Sequence, residues 1–223
     1  MKVTKIQQQQ KRKDRYSIYI NEKYLFSLNE FQLAGSGLRI GKELTPSEVE
    51  NFATESQFGK AYERSLNYVM VRPRSQKEIK DYLTRTYLYP KPKSYVDKNG
   101  QRHFKQQEVD KAKVSNLIVR VMERLADKGH INDQRFTESW VQSRMLHKNP
   151  SKRKLEQELY AKGIDQKIIA TVLQNEDLNE QDNLLELVKK KRKLLRYQDD
   201  QKLIAYLLRQ GFNYDDIRDI INE

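Results

Sequence analysis

The alternation of apolar and polar positions changes character near residue 45. Before it, β-forming residues come in short runs, Tyr16–Ser17–Ile18–Tyr19–Ile20 and Tyr24–Leu25–Phe26–Ser27–Leu28. Asn21–Glu22–Lys23 separates them, a length that suits a hairpin, and Val3 to Gln7 supplies a third strand. Gly35–Ser36–Gly37–Leu38–Arg39–Ile40–Gly41 reads as a turn. It misses the spacing of a dinucleotide-binding loop, and no long hydrophobic strand precedes it. Thr45–Pro46–Ser47–Glu48 then opens a helix. Thr45 caps it, Pro46 suits the first helical position, and Glu48 closes a capping box. Helical periodicity dominates from there onward. Residues 87–111 are the exception, with Pro90, Pro92 and Asn99–Gly100. They predict a small basic β-hairpin inserted between two helices, with Tyr95 and Val96 opposite His103 and Phe104.

The helical part repeats itself. Leu155, Leu159, Gly163, Ile164, Ile169, Val172 and Leu173 recur 48 positions later as Leu203, Leu207, Gly211, Phe212, Ile217, Ile220 and Ile221. Each set predicts a helix–turn–helix corner. A glycine ends one helix in the left-handed region, and the apolar residue after it packs into the next helix. Gly129, Ile131, Asn132 and Phe136 form a third corner of this type. Ile79 and Leu83 match Leu155 and Leu159 at an offset of 76, and the extra length is that of the hairpin insertion. The predicted fold is mainly α: three tandem three-helix repeats in an elongated, curved array, with a small N-terminal β-rich region. The expected segments are a β-rich region plus a helix at 1–59, then repeats at 60–131, 132–178 and 179–223.

Composition supports thin helical layers. Apolar residues make up 37% and charged residues 33%, so one thick core is excluded. Thirteen Tyr, seven Phe and one Trp exclude a solvating, disordered chain. No apolar run exceeds six residues, as at Leu203 to Leu208, so neither a membrane span nor a secretory segment is expected. The absence of Cys removes disulfides, thiol catalysis and cysteine metal sites, and fits a reducing, cytoplasmic setting.

Charge points to a polyanion. The net charge is +12, and residues 61–132 hold 16 basic against 8 acidic side chains. The bland alternative is a solvated basic surface. Arg72, Arg74, Lys77, Lys80 and Arg85 surround one predicted helix, which Ser75 and Glu78 open as a capping box. Lys152, Arg153 and Lys154 hold the same place in the second repeat, and Lys202 and Arg209 do so more weakly in the third. Lys98 and Arg102 add charge on the hairpin. Stacked repeats would line these groups up as a stripe, which suits a long polyanion. Catalytic signals are missing: there is no nucleophile elbow and no phosphate loop. His103, His130 and His147 are scattered. Asp199–Asp200 and Asp215–Asp216 sit at predicted helix starts, where carboxylates favour the dipole, so a metal-dependent nuclease is set aside. Phe136, Trp140 and Val141 share a helical face that reads as core, with Arg144 one turn beyond. No cofactor is expected.

Arg72–Pro73–Arg74–Ser75–Gln76–Lys77–Glu78–Ile79 resembles the Arg-x-Arg-Ser-x-x-Glu-Leu motif of RecX regulatory proteins. Gly129 to Phe136, with Asn132 and Asp133, followed by Trp140–Val141 and Arg144, is similar to that family's Gly-x-Leu-Asn-Asp-x-Arg-Phe-Ala-x-x-Trp-Val-x-x-Arg. Arg153 to Glu158 with Lys162–Gly163–Ile164 resembles a third motif. Thr137 departs from the family's Ala, and the 87–111 insertion breaks the first repeat; the first sixty residues lie outside the core pattern, though longer relatives carry something similar. The resemblance implies three tandem three-helix repeats and a non-catalytic modulator of RecA in DNA repair, homologous recombination and the SOS response. Such a protein binds along the RecA–DNA filament and inhibits its ATPase, strand exchange and co-protease activities. The implied partners are RecA and single- or double-stranded DNA, bound by a cytoplasmic monomer with no membrane contact. Arg72, Arg74, Lys77, Lys152, Arg153 and Lys154 would face the filament or its DNA. Ser75, Glu78, Asn132, Asp133, Phe136, Trp140, Gly163 and Gly211 would be structural. The alternative is a free-standing, sequence-indifferent DNA- or RNA-binding repeat protein.

Overall fold

The structure, a computed structural model, describes residues 1–105, 107–148, 150–175 and 179–222. The chain divides into two compact units, Met1–Val71 with Lys80–His130, and Arg72–Ile79 with Ile131–Glu223. Each is described by itself.

The first unit begins with an antiparallel sheet in the order β1 (Val3–Gln8), β2 (Arg15–Ile20), β3 (Lys23–Asn29). Asn21 and Glu22 both have positive φ, 48° and 66°, so a tight two-residue turn joins β2 to β3. One face buries Val3, Ile18, Ile20, Phe26, Leu28, Leu38 and Leu44. Leu33 of α1 (Glu30–Ser36) and Val49, Phe52 and Ala53 of α2 (Pro46–Met70) pack on that cluster. The glycine segment expected as a turn from residue 35 starts inside α1. Asn29 and Gln32 form a capping box there, and Gly37 closes the helix at φ 61°. The Thr45–Glu48 capping box opens α2 as its sequence demands. Residue 60 lies inside α2, so one 25-residue helix spans the junction expected there, packing on both β3 and a later helix.

Glu63 ties the sheet to α2. Its carboxylate accepts from Arg15 at 2.8 and 2.9 Å, Arg12 at 2.7 Å and the Asn29 amide at 2.9 Å. Arg15 is buried, so removing Glu63 would strand a charge in the interior.

Helix α3 (Gln76–Leu83) passes into a π-helical turn, Thr84–Leu88, which ends as the Tyr89 N–H donates to the Thr84 carbonyl. Beyond it, β4 (Lys93–Val96) and β5 (Arg102–Lys105) pair antiparallel. The hairpin is where the sequence puts it, with one difference of register. Tyr95 faces His103, but Val96 faces Arg102 and Phe104 faces Ser94. Asn99–Gly100 does not form a two-residue turn. The Gly100 N–H donates to the Asp97 carbonyl, Gly100 takes φ 79°, and the Asp97 N–H reaches the Gln101 carbonyl. This is a three-residue loop, and it shifts the pairing by one place. Helix α4 (Lys111–Asp127), capped by Asp110, buries Leu117, Ile118, Val121 and Leu125 and packs on α2.

The second unit holds two three-helix sets, α5 (Asp133–Lys148), α6 (Lys152–Ala161), α7 (Gln166–Asn175), and α8 (Glu180–Arg192), α9 (Asp200–Arg209), α10 (Tyr214–Asn222). With α2, α3 and α4 they complete three tandem three-helix repeats. The expected junction at 178 falls within 176–178, outside the described residues. Each set has its own core, Phe136, Val141, Leu155, Leu159, Ile164, Ile169, Val172 and Leu173 in the first, and Leu184, Leu187, Val188, Leu203, Leu207, Phe212 and Ile217 in the second. The corners match bond for bond. Gly163 and Ile164 donate to the Tyr160 and Leu159 carbonyls, and Gly211 and Phe212 donate to those of Leu208 and Leu207. Both glycines sit at positive φ, 75° and 90°.

Consecutive repeats are joined by the same pair of hydrogen bonds, made twice. The Ser75 hydroxyl accepts the Glu78 N–H and donates to the Lys162 carbonyl at 2.7 Å. Ser151 accepts the Lys154 N–H and donates to the Gln210 carbonyl at 2.7 Å. Beside them, the Gln76 N–H donates to Asp133 at 2.8 Å and the Lys152 N–H to Glu180 at 2.7 Å. Both serines are fully buried. Asp199 holds the matching place in the third repeat, caps α9 at Lys202, and is exposed.

Replacing residues 93–105 with a short Gly-Ser link is expected to leave helical circular dichroism unchanged, because Tyr95, Val96 and Phe104 are exposed and bury no shared core. Ser151→Ala loses a helix cap and leaves a carbonyl without its donor, lowering unfolding free energy in urea by about 2–3 kcal/mol. Asp199→Ala, which removes a cap alone, costs about 1 kcal/mol.

Candidate functional site

On α5, Phe136, Trp140 and Arg144 follow at four-residue spacing and so share one face. Phe136 is buried and Trp140 half-buried, with ring centroids 5.7 Å apart. The indole N–H donates to Glu158 of α6 at 3.0 Å, and the Arg144 Nε donates to the same oxygen at 2.6 Å. The Arg144 guanidinium lies 4.2 Å from the indole centroid and the Lys162 ammonium 5.1 Å. Each such interaction contributes about 0.5–2 kcal/mol. Lys162 also donates to Glu78 at 2.8 Å, and Glu78 receives Arg72 at 2.9 Å and the Ser75 N–H at 3.3 Å. The outcome is one run of alternating charge, Arg72–Glu78–Lys162, continuing over Trp140 to Arg144 and Glu158.

Two carboxyls register this environment. Burial alone would raise Glu78, but its bonds from Arg72 and Lys162 outweigh that and hold it at about 2. Burial pushes Asp133 up, and the Gln76 N–H offsets only part of the rise. Asn132 caps α5 at the Arg135 N–H. Thr137, where the family resemblance led to Ala, is buried and satisfies its hydroxyl on the Asp133 carbonyl at 2.6 Å. Gly163 and Gly211 lie under the preceding repeat's approach. A Cβ on Gly163 would collide with the Lys77 side chain, and one on Gly211 would fall 2.7 Å from the Ser151 hydroxyl.

The basic candidates fall into three groups. Arg72 and Arg144 are spent on Glu78 and Glu158. In the same unit, Arg74 is half-buried and Lys77 exposed, Lys77 lying against Gly163. Arg153 lies against Gly211 in the equivalent way, flanked by exposed Lys152 and half-buried Lys154. The first unit carries Lys80, Arg85, Lys98 and Arg102, all exposed, the last two on the hairpin. Among the described residues no group of three or more His, Asp or Glu is placed to hold a metal, and no helix is long and apolar enough to cross a membrane. The His147 side chain lies outside the described residues.

Sequence reasoning missed Ser151, Glu158, Lys162 and Glu180 as joint residues. The signal was present. Following the 76- and 48-residue offsets through polar positions aligns Ser75, Ser151 and Asp199. Glu180 and Asp133 both open the first helix of a repeat.

The pH dependence of the joint has a defined sign. Glu78 is depressed from 4.5 to about 2, so its stabilisation is complete above about pH 4.5 and is lost as pH falls toward 2. Glu78→Gln is expected to lower urea stability by about 1–2 kcal/mol at neutral pH, after discounting for solvent screening. The gap to the unaltered protein closes on acidification through that window, as urea titrations across it read directly.

Comparison with known proteins matches these elements segment by segment. The RecX N-terminal domain model matches residues 1–45, the second three-helix domain 132–173 and the third 179–221. The first sixty residues, read from the motifs as outside the core pattern, therefore include a domain that the family recognises. Regulatory protein RecX of Listeria welshimeri is 31% identical over 218 residues, 96% of this chain and 72% of that protein. RecX of Bacillus subtilis is 28% identical over 96% of this chain and 73% of its own. A crystal structure of a regulatory protein RecX aligns with TM-score 0.68 at 23% identity, covering 100% of this chain and 99% of that one. RecX from Lactobacillus salivarius aligns with TM-score 0.52 at 24% identity, covering 74% and 95%. The chain belongs to the RecX family of regulatory proteins.

Proposed function

We propose that the protein binds the RecA–DNA filament and inhibits RecA's ATPase, strand exchange and co-protease activities in recombination and repair. It does so without catalysis or cofactor of its own, as a monomer in the cytoplasm. The observation that carries this reading is the duplicated placement of Lys77 and Arg153, each over the next repeat's corner glycine. The joint fixes their spacing, so charge recurs at the period of the repeat. A periodic polyanion, phosphate backbone within a protein filament, is the partner that such periodicity suits. Arg72 and Arg144 are paired with Glu78 and Glu158, so Lys152 and Arg153 carry more of the binding than those two arginines do.

A free-standing DNA binder is the second reading, favoured by the excess of charge in residues 61–132. Titrating the protein into RecA, DNA and ATP is expected to suppress ATP hydrolysis at stoichiometric protein; no effect would return the choice to the second reading. Lys152→Ala with Arg153→Ala is expected to weaken the suppression. The same pair is expected to flatten the slope of log K against log salt on duplex DNA by about 1.8, at about 0.9 for each phosphate that is no longer neutralised. Arg144→Ala is expected to lower urea stability and leave that slope unchanged.

A further inference from the structure

The first unit contains a cavity of about 1080 Å³ that neither the family resemblance nor the filament reading uses. It lies among β2 and β3, α2, the π-helical turn and the start of α4. Pro90 and Gln107–Asp110, the two stems of the hairpin insertion, form part of its wall. Its aromatic lining is all tyrosine: Tyr24, Tyr68, Tyr82 and Tyr87. Tyr68 and Tyr82 are stacked, centroids 4.2 Å apart at 13°. Arg64 sits 5.9 Å from the Tyr87 ring, and Tyr24 is exposed.

The electrostatics are asymmetric. Glu63 is already neutralised by Arg12 and Arg15, and Asp110 is occupied at the N-terminus of α4. Lys60 lines the cavity and makes no ion pair among the described residues. Against the acidic lining residues Glu63, Glu108 and Asp110 the cavity sets Arg12, Arg15, Lys60, Arg64 and Lys113, the last paired with Glu50, and these stand beside stacked and exposed π-faces. At about 1080 Å³ the cavity stands at the upper end of the range of ordinary ligand sites, about 300–1000 Å³. Bases offer their faces to such a cavity only when unpaired, because in a duplex they are stacked on one another.

We propose that this cleft takes single-stranded nucleic acid, its bases stacking on the tyrosines and its phosphates meeting Lys60 and Arg64. The proposal does not rest on the filament reading, because its test contains no RecA. An oligothymidylate carrying iodouracil is irradiated with the full-length protein, and the cross-linked peptides are identified by mass spectrometry. Cross-links are expected at Tyr24, Tyr68, Tyr82 or Tyr87. In parallel, Lys60→Glu with Tyr24→Ala is expected to weaken oligothymidylate binding by about tenfold or more and to leave duplex binding within about twofold. Both substitutions are at the cavity surface, and circular dichroism verifies the fold. Lys60→Arg keeps the charge and is expected to bind as the unaltered protein does. Cross-links confined to residues 131–222, or equal single-strand affinity in the folded double variant, overturn the proposal and leave the cleft to a protein segment.

Discussion

Two buried serine hydroxyls hold the repeats in register. Each accepts an N–H from its own helix and gives its single proton to the next repeat's corner carbonyl. A hydroxyl is the smallest side-chain group that performs both tasks. The corner carbonyls belong to the last turn of a helix, where no intrahelical donor remains. The joint therefore satisfies the start of one helix and the end of another with one atom, and it requires close approach. That requirement explains the glycines. Gly163 and Gly211 hold positive φ, and their missing Cβ also makes the space into which Lys77, Ser151 and Arg153 fit.

Glu78 and Glu158 consume Arg72, Lys162 and Arg144; the Lys162–Glu78 pair joins two repeats, and the Arg144–Glu158 pair joins two helices of one repeat. Basic groups that stay in solvent, Lys77, Lys152 and Arg153, ride on the corners. Buried capping serines and exposed basic residues are thus neighbours on the same helix start.

Much of this was legible in the sequence because it rests on local rules. The Thr45 capping box, the Asn21 turn and the corner glycines each involve residues within a few places of one another. The 48-residue repeat was visible through its apolar positions. What stayed hidden depends on separation. Ser75 meets Lys162 87 residues away, and Lys162 meets Glu78 at 84. No local pattern distinguishes a serine that only caps from one that also bridges. Residue 60 looked like a junction because the repeat pattern starts near it, but the helix there answers to tertiary packing on both sides. The Asn-Gly pair signalled a hairpin correctly; which of two loop lengths it closes is decided by Asp97 and its backbone bonds.

Asp199 stands where a third bridging serine would stand. Its carboxylate has no proton to give, and a carbonyl brought against it would meet like partial charge. Open-ended stacking is a hazard for any solenoid, since each terminal module presents the surface that a further module would cover. Here Asp199 keeps the cap that its own helix needs and lacks the proton with which Ser75 and Ser151 bridge.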